Sequence, residues 1–205
     1  MFRINKNSFC FQVAIVLFLL TGACKNPFAT REAEPPSTDQ SSWRVPTDPA
    51  VVLENMRDAI LEKNVSNYMR CLADSNQLFR FLPDEYEASK NAGIFDTWQL
   101  EQEQGYINKL FTSIPDDSIR RLRFSLDYQR IDFADSILIR TDYELNLHHV
   151  LSSSYPKLAK GKCDFLFVRR QGFWVISRWE DHQTQNDSTA TRIPSWSTIK
   201  ASFLN

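Results

Sequence analysis

The hydrophobic pattern of this chain changes its main period at Pro115, and that change restricts the folds open to it. Before Pro115 apolar residues recur mainly at helical spacing, and after it they alternate as far as residue 180. Asp48-Pro49 reads as a helix start, with Asp48 as cap and Pro49 in the first helical position, where a missing N–H costs nothing. Val52, Leu53, Met56, Ala59, Ile60 and Lys63 then share one face, so a first helix runs to about Asn64. Residues 65–73 continue as a short second helix. Phe79-Arg80-Phe81, stopped by Pro83, reads as an edge strand, and residues 84–95 as a loop. Asp96-Thr97-Trp98-Gln99 offers a capping box for a third helix. Glu101 and Glu103 suit its positive end, and Ile107, Leu110, Phe111 and Ile114 form its buried stripe.

Beyond Pro115 the period is two. Leu122, Phe124, Leu126 and Tyr128 alternate with polar residues as the buried face of a first strand. Ile137, Ile139, Thr141, Tyr143, Leu145, Leu147 and His149 share one side of a run over 137–151, long enough to require a bend or bulge. Residues 162–170 and 173–180 form a hairpin across Gln171-Gly172, Gly172 supplying the positive φ of a tight turn. In that register Val168 faces Val175, Leu166 faces Ser177 and Asp164 faces Trp179, while Phe167, Phe165 and Cys163 oppose Ile176, Arg178 and Glu180. Both faces are then largely apolar, which predicts a central pair covered on both sides. Ser195 can cap a last short helix carrying Trp196, Ile199 and Phe203. Helices first and strands after predict an α+β fold, with N-terminal helices packed on one side of a strongly curved antiparallel sheet.

The first 23 residues stand apart from this pattern. Met1 to Gln12 carry Arg3 and Lys6 and no acid, and Val13 to Leu20 is an apolar run too short to span a bilayer. Leu20-Thr21-Gly22-Ala23-Cys24 resembles the lipobox of bacterial lipoproteins, in which the cysteine thiol is diacylated and becomes the mature N-terminus; Thr21 departs from the usual Leu. The plainer alternative is an ordinary secretory signal with a cysteine near its end. The resemblance implies a signal peptide over 1–23, a lipidated and disordered tether over 24–45, and one domain over 46–205. It also implies a place in the bacterial cell envelope, with the membrane engaged through lipid on Cys24. Residues 25–42 are rich in Pro, Ser, Thr and charge, and eighteen residues of coil reach roughly 20–25 Å.

Setting Arg3 and Lys6 aside leaves 22 bases against 25 acids, a net charge of −3 with mixed signs, which argues against nucleic acid as a partner. Four glycines remain (Gly93, Gly105, Gly161, Gly172), too far apart for a phosphate-cradling loop, so no nucleotide cofactor is expected. Cys71 and Cys163 are left in the domain, either paired or as two buried thiols. No CxxC, Cys/His quartet or HExxH is present, and no metal is expected. The Asn64-Val65-Ser66 and Asn186-Asp187-Ser188 sequons read as chance matches, and the five tryptophans as core.

The opening DPAVVLENMRDAILEKNVSNYMRCLAD, the FRFLPD strand and stop, the YINKLF helix and the closing GFWVISRWEDH together resemble the nuclear-transport-factor-2-like superfamily, a cone-shaped fold also used by ketosteroid isomerase and scytalone dehydratase. The ending SWSTIKASF, with the lipobox, resembles bacterial lipoproteins of that superfamily. The resemblance implies a pocket between the concave sheet face and the helices. The candidate groups for it are Tyr128, Tyr143, His149, Asp164 and Trp179. The family's carboxylate base and oxyanion hole have no counterpart at matched positions, so no catalytic residue is assigned. His148 and His149 point to opposite faces and cannot share a metal. Arg178 and Glu180 share a face, as a carboxylate clamp or, more commonly, an ion pair. Three readings follow: a membrane-tethered module that binds a small apolar or carboxylate ligand or a protein, including a homodimer through the sheet; an isomerase or dehydratase using the pocket; and a structural accessory with its pocket filled by its own side chains. The volume of the pocket separates them.

Overall fold

A computed structural model describes residues 41–74, 78–184 and 192–204. The signal peptide, Cys24 and the tether as far as Gln40 lie outside the described residues. No described helix is long and apolar enough to cross a membrane.

Helix α1 spans Pro49–Glu62; Asp48 accepts the Ala50 N–H at 2.9 Å, and Val52, Leu53, Met56, Ala59 and Ile60 are buried. Lys63 ends it in the left-handed region (φ 56°), and its ammonium reaches the Ile114 carbonyl and Asp116 at 2.7 Å each. Helix α2 is Val65–Arg70, and Asn64, the sequon asparagine, caps it by accepting the Asn67 N–H. Strand β1 is Arg80–Leu82. The segment read as a loop contains a short helix α3, Glu85–Lys90, because Asp84 accepts the N–H groups of Tyr86 and Glu87. Helix α4 spans Leu100–Ser113. Gln99 rather than Asp96 caps it, in a capping box with Gln102, and Trp98 is buried just ahead of it. Strands β2 (Arg120–Phe124), β3 (Gln129–Asp132), β4 (Ser136–Leu147), β5 (Leu158–Arg170) and β6 (Phe173–Gln183) lead to the final helix α5, Trp196–Leu204.

Among the described residues the strands form one open six-stranded sheet in the order β1-β6-β5-β4-β2, with β3 beside β4. The α+β fold is as expected, with two differences of detail. β1 runs parallel to β6, so the sheet is mixed, and the chain arrives at it through residues 71–73, which already hydrogen-bond Ile176. The first strand is two: β2 pairs with residues 143–147 of β4 and β3 with residues 137–140, and the chain breaks between them. The break turns Leu126 outward, 97% exposed, and leaves Tyr128 at 37%.

The alternation in β4 holds, with Ile137, Ile139, Thr141, Tyr143, Leu145 and Leu147 all buried. The β5–β6 turn also holds, since Val168 pairs with Val175 and Phe167 with Ile176. A bulge then inserts Ser177, whose hydroxyl bonds the Leu166 carbonyl, and shifts every later pair. Phe165 meets Trp179 and Cys163 meets Asp181, while Leu166 meets Arg178 and Asp164 meets Glu180. The two faces are therefore unlike. Phe167, Phe165, Cys163, Ile176, Trp179 and Asp181 are buried against the helices, and the charged residues lie outside. Arg178 and Glu180 form an ion pair there at 2.9 Å.

Two further points concern the ends and the thiols. Ser41 to Val45, expected within the tether, dock on α1 and α2: the Arg44 backbone exchanges two hydrogen bonds with the Asn55 side chain of α1, and Arg70 of α2 lies 4.0 Å over the Trp43 ring. Cys71 and Cys163 are separate buried thiols, both pushed up in pKa by burial.

Candidate functional site

The cone is the space between the inner sheet face and the helices, and side chains of α5 fill it. Trp196, Lys200 and Phe203 recur at i, i+4 and i+7 on one face of that helix. Trp196 meets Trp179 edge-on at 4.4 Å between centroids and Tyr143 at 5.3 Å; Phe203 meets Tyr106 at 6.1 Å. Trp98, Tyr106, Trp179, Trp196, Lys200 and Phe203 expose 0% of their surface, so no void large enough for a water molecule touches them.

Two polar clusters hold α5 there. The first catches its N-terminus, where backbone N–H groups lack helical partners. The Trp196 N–H donates to the Tyr143 hydroxyl at 2.6 Å, and that hydroxyl donates to Asp181 Oδ1 at 2.8 Å. The Ser197 N–H and hydroxyl both donate to Asp181 Oδ2, at 2.7 and 2.6 Å, and the Thr198 N–H donates to Ser195 Oγ at 3.2 Å. Ser195 in turn donates to Asp84, the cap of α3. Burial pushes the Asp181 carboxyl up from its ordinary value, and the bonds from Ser197 and Tyr143 oppose that push. The Tyr143 ring reaches β6 by crossing β5 at Gly161, its register partner. A Cβ on Gly161 would stand 2.6 Å from the His182 carbonyl and 2.7 Å from the Tyr143 hydroxyl.

The second cluster lies deeper. Lys200 and Glu103, both fully buried, form an ion pair. Glu103 Oε1 also accepts the Tyr68 hydroxyl at 2.6 Å, and Oε2 accepts the Trp98 indole N–H at 2.6 Å. The Lys200 ammonium lies 4.0 Å from the centroid of Phe81, 4.2 Å from Trp179, 5.1 Å from Tyr106 and 5.2 Å from Trp98. Burial lowers its pKa to about 8, against the pull of Glu103 in the other direction.

Of the residues singled out in the sequence, Tyr143 and Trp179 face this interior; the Trp179 indole donates to Cys163 Sγ at 3.1 Å. His149 is 2% exposed at its flank, between Tyr155 and Phe203, with Nε2 against the Pro156 carbonyl at 3.3 Å and Nδ1 unpartnered. Desolvation lowers its pKa. Tyr128 and Asp164 do not join them. Tyr128 sits in the break between β2 and β3, and the bulge in β6 leaves Asp164 on the outer face, bonded to Arg140 at 2.8 Å.

The interior charges carried a signal in the sequence that periodicity alone did not flag. Lys200 stands on the apolar stripe of α5, and Glu103 stands three, four and seven residues before Tyr106, Ile107 and Leu110 on that of α4. A lysine and a glutamate at core positions of two helices suit one another. Asp181 was hidden differently, since only the bulge turns it inward.

Among the described residues, open hollows lie outside the cone. One of about 540 Å³ on the outer sheet face is bordered by Asp127, Gln129, Arg140, Lys162, Asp164 and His182. Another of about 420 Å³ lies by Asp84, Tyr86, His182 and Arg192. Asp164, Glu180 and His182 bring three ligand-type atoms within 4.8 Å of one another, but Arg140 and Arg178 already neutralise both carboxylates.

No family model matches the sequence, and no curated protein matches it at a significant level. Solved structures match the fold. A Mycobacterium tuberculosis protein of unknown function is 12% identical with a TM-score of 0.50, over 76% of this chain and 89% of that one. A Novosphingobium aromaticivorans protein named as a candidate scytalone dehydratase is 10% identical with a TM-score of 0.51, over 71% and 88%. A nuclear-transport-factor-2-like protein of unknown function from Shewanella oneidensis is 15% identical with a TM-score of 0.48, over 66% and 98%. The first two structures establish the likeness, and the fold is nuclear-transport-factor-2-like. At such identities the fold is shared and no activity comes with it.

Proposed function

We propose that this protein is a lipid-anchored, non-catalytic interaction domain of the bacterial cell envelope, whose cone is closed by its own C-terminal helix. The observation that carries this reading is the absence of accessible surface on Trp179, Trp196, Lys200 and Phe203. A ligand pocket needs roughly 300 Å³ or more of open volume, and an acid/base pair needs a substrate beside it. The dehydratase name of one structural neighbour belongs to that neighbour; here the interior polar groups are already consumed in holding α5. Binding then falls to the outside, where Leu126, Ile131 and Phe133 leave large apolar groups exposed along β3 and the break before it. The lipobox supports the anchor, and Ser41 is the first described residue of the folded part.

Two measurements test this together. In membrane fractions, Cys24→Ser should release a folded protein into the soluble fraction; a variant that stays on the membrane refutes the anchor. In the wild-type domain the indole N–H signals of Trp98, Trp179 and Trp196 should not respond to 2-naphthol, chosen as a small aromatic probe. A saturable response would show an accessible pocket and return the enzyme reading to first place.

A further inference from the structure

Filling a cone requires volume, and Lys200 supplies more than volume. A methionine or leucine would occupy the same stem without taking an ammonium out of water, a transfer that costs several kcal/mol even after relaxation. The groups that receive this ammonium come from elsewhere in the chain. Phe81 is on β1, Trp98 precedes α4, Glu103 and Tyr106 are on α4, and Trp179 is on β6. The carboxylate is fixed before any cation is considered, because Tyr68 and Trp98 each donate to it at 2.6 Å. Four ring faces within 5.2 Å of the cation complete the enclosure. Ring faces and one oriented carboxylate are what an ammonium group recognises in a water-free site. None of the groups that touch the ammonium is on α5; that helix supplies the cation, and its Trp196 and Phe203 back the rings of Trp179 and Tyr106 from outside.

We propose that the floor of the cone is a binding site for an organic ammonium group, formed by Phe81, Trp98, Glu103, Tyr106 and Trp179, and that Lys200 is its tethered ligand. The proposal rests on α5 as the occupant of the cone and is independent of the lipid anchor. The ligand class is a primary alkylammonium, since the head must donate to Glu103 while its other faces lie against rings. A quaternary head has no proton to donate.

The test vacates the site in the full chain. Lys200→Ala removes the three outer methylenes and the ammonium, a fragment with the composition of n-propylammonium, and leaves a cavity of that size with the Glu103 carboxylate at its end; cavities made by truncation can bind small molecules that fit them. The melting temperature of Lys200→Ala should fall below that of wild type. n-Propylammonium chloride should restore it saturably, against sodium chloride at equal ionic strength, and 1-propanol should bind roughly tenfold more weakly or worse. Adding Glu103→Gln to Lys200→Ala should erase that preference. Wild type should respond to neither probe. A folded Lys200→Ala that takes 1-propanol as tightly as n-propylammonium, or takes neither, overturns the proposal. If its Trp196 indole signal is native in that case, the filled cone still stands and only the receptor falls. Should Lys200→Ala not fold in plain buffer, its near-ultraviolet signal should return with n-propylammonium and not with 1-propanol. Lys200→Met then gives the second measure: wild-type stability in that variant means the site needs volume and not charge, and the proposal is wrong.

Discussion

Tyr143→Phe removes one oxygen atom from the junction between sheet and C-terminal helix, and the cost can be worked out group by group. The hydroxyl accepts the Trp196 N–H at 2.6 Å and donates to Asp181 at 2.8 Å. Trp196 is fully buried, so its amide is left without a partner and without water, at about 1–3 kcal/mol. Asp181 keeps both donors from Ser197, so its loss is one hydrogen bond, about 1 kcal/mol. The ring itself stays, and no cavity term is added. The total is about 3 kcal/mol, which with a urea m-value near 2 kcal/mol/M lowers the midpoint by about 1.5 M at unchanged m. Hydrogen exchange supplies the local readout, because amides of α5 should lose protection before those of β4 and β5. Tyr128→Phe, which alters an exposed hydroxyl, is the control and should shift stability by less than about 0.5 kcal/mol. A midpoint shift below about 0.5 M for Tyr143→Phe, with α5 protection intact, would refute the assignment of this hydroxyl as the clasp of α5.

Gly161→Ala attacks the same junction from the other side. Its Cβ would meet a backbone carbonyl at 2.6 Å and the Tyr143 ring at 2.9 Å, so urea denaturation should show a loss of about 1–3 kcal/mol; a neutral substitution would mean that β5 and Tyr143 separate freely. His149 makes a pH prediction. Burial holds its folded pKa below the ordinary histidine value of about 6.5, so the unfolded chain binds the extra proton, and stability falls as pH drops from about 6.5 toward the folded value. Thermal melts of His149→Phe should lack that component of the acid limb, and an unchanged pH profile would contradict it.

The elements that were legible in the sequence are those whose signals are local. Asp48-Pro49 starts α1 because a cap and a fixed φ act within one turn. The alternation through β4 and the Gln171-Gly172 turn are likewise local, the turn resting on positive φ at both residues. Misread features depend on partners far along the chain. Asp96 and Gln99 offer equivalent capping chemistry, and the burial of Trp98 among Phe81, Phe95 and Tyr106 places the cap at Gln99. Leu126 and Tyr128 continue a perfect alternation, yet β4 pairs with two separate strands, and the break between them overrides the pattern.

The sequence by itself determined the fold class, the order of the elements apart from α3 and the division of β2 from β3, and the alternation of β4 that puts Tyr143 on one side with its apolar neighbours. Only the tertiary structure decided what that face encloses. One extra residue, Ser177, reverses the parity of β6 and turns Asp181 inward to receive the first turn of α5. Glu103 and Lys200, 97 residues apart, meet only after α4 and α5 have packed. Periodicity assigns a residue to a face, and it carries no information about what a distant segment will place against that face; in this chain the distant segment is its own last helix, and it closes the cone.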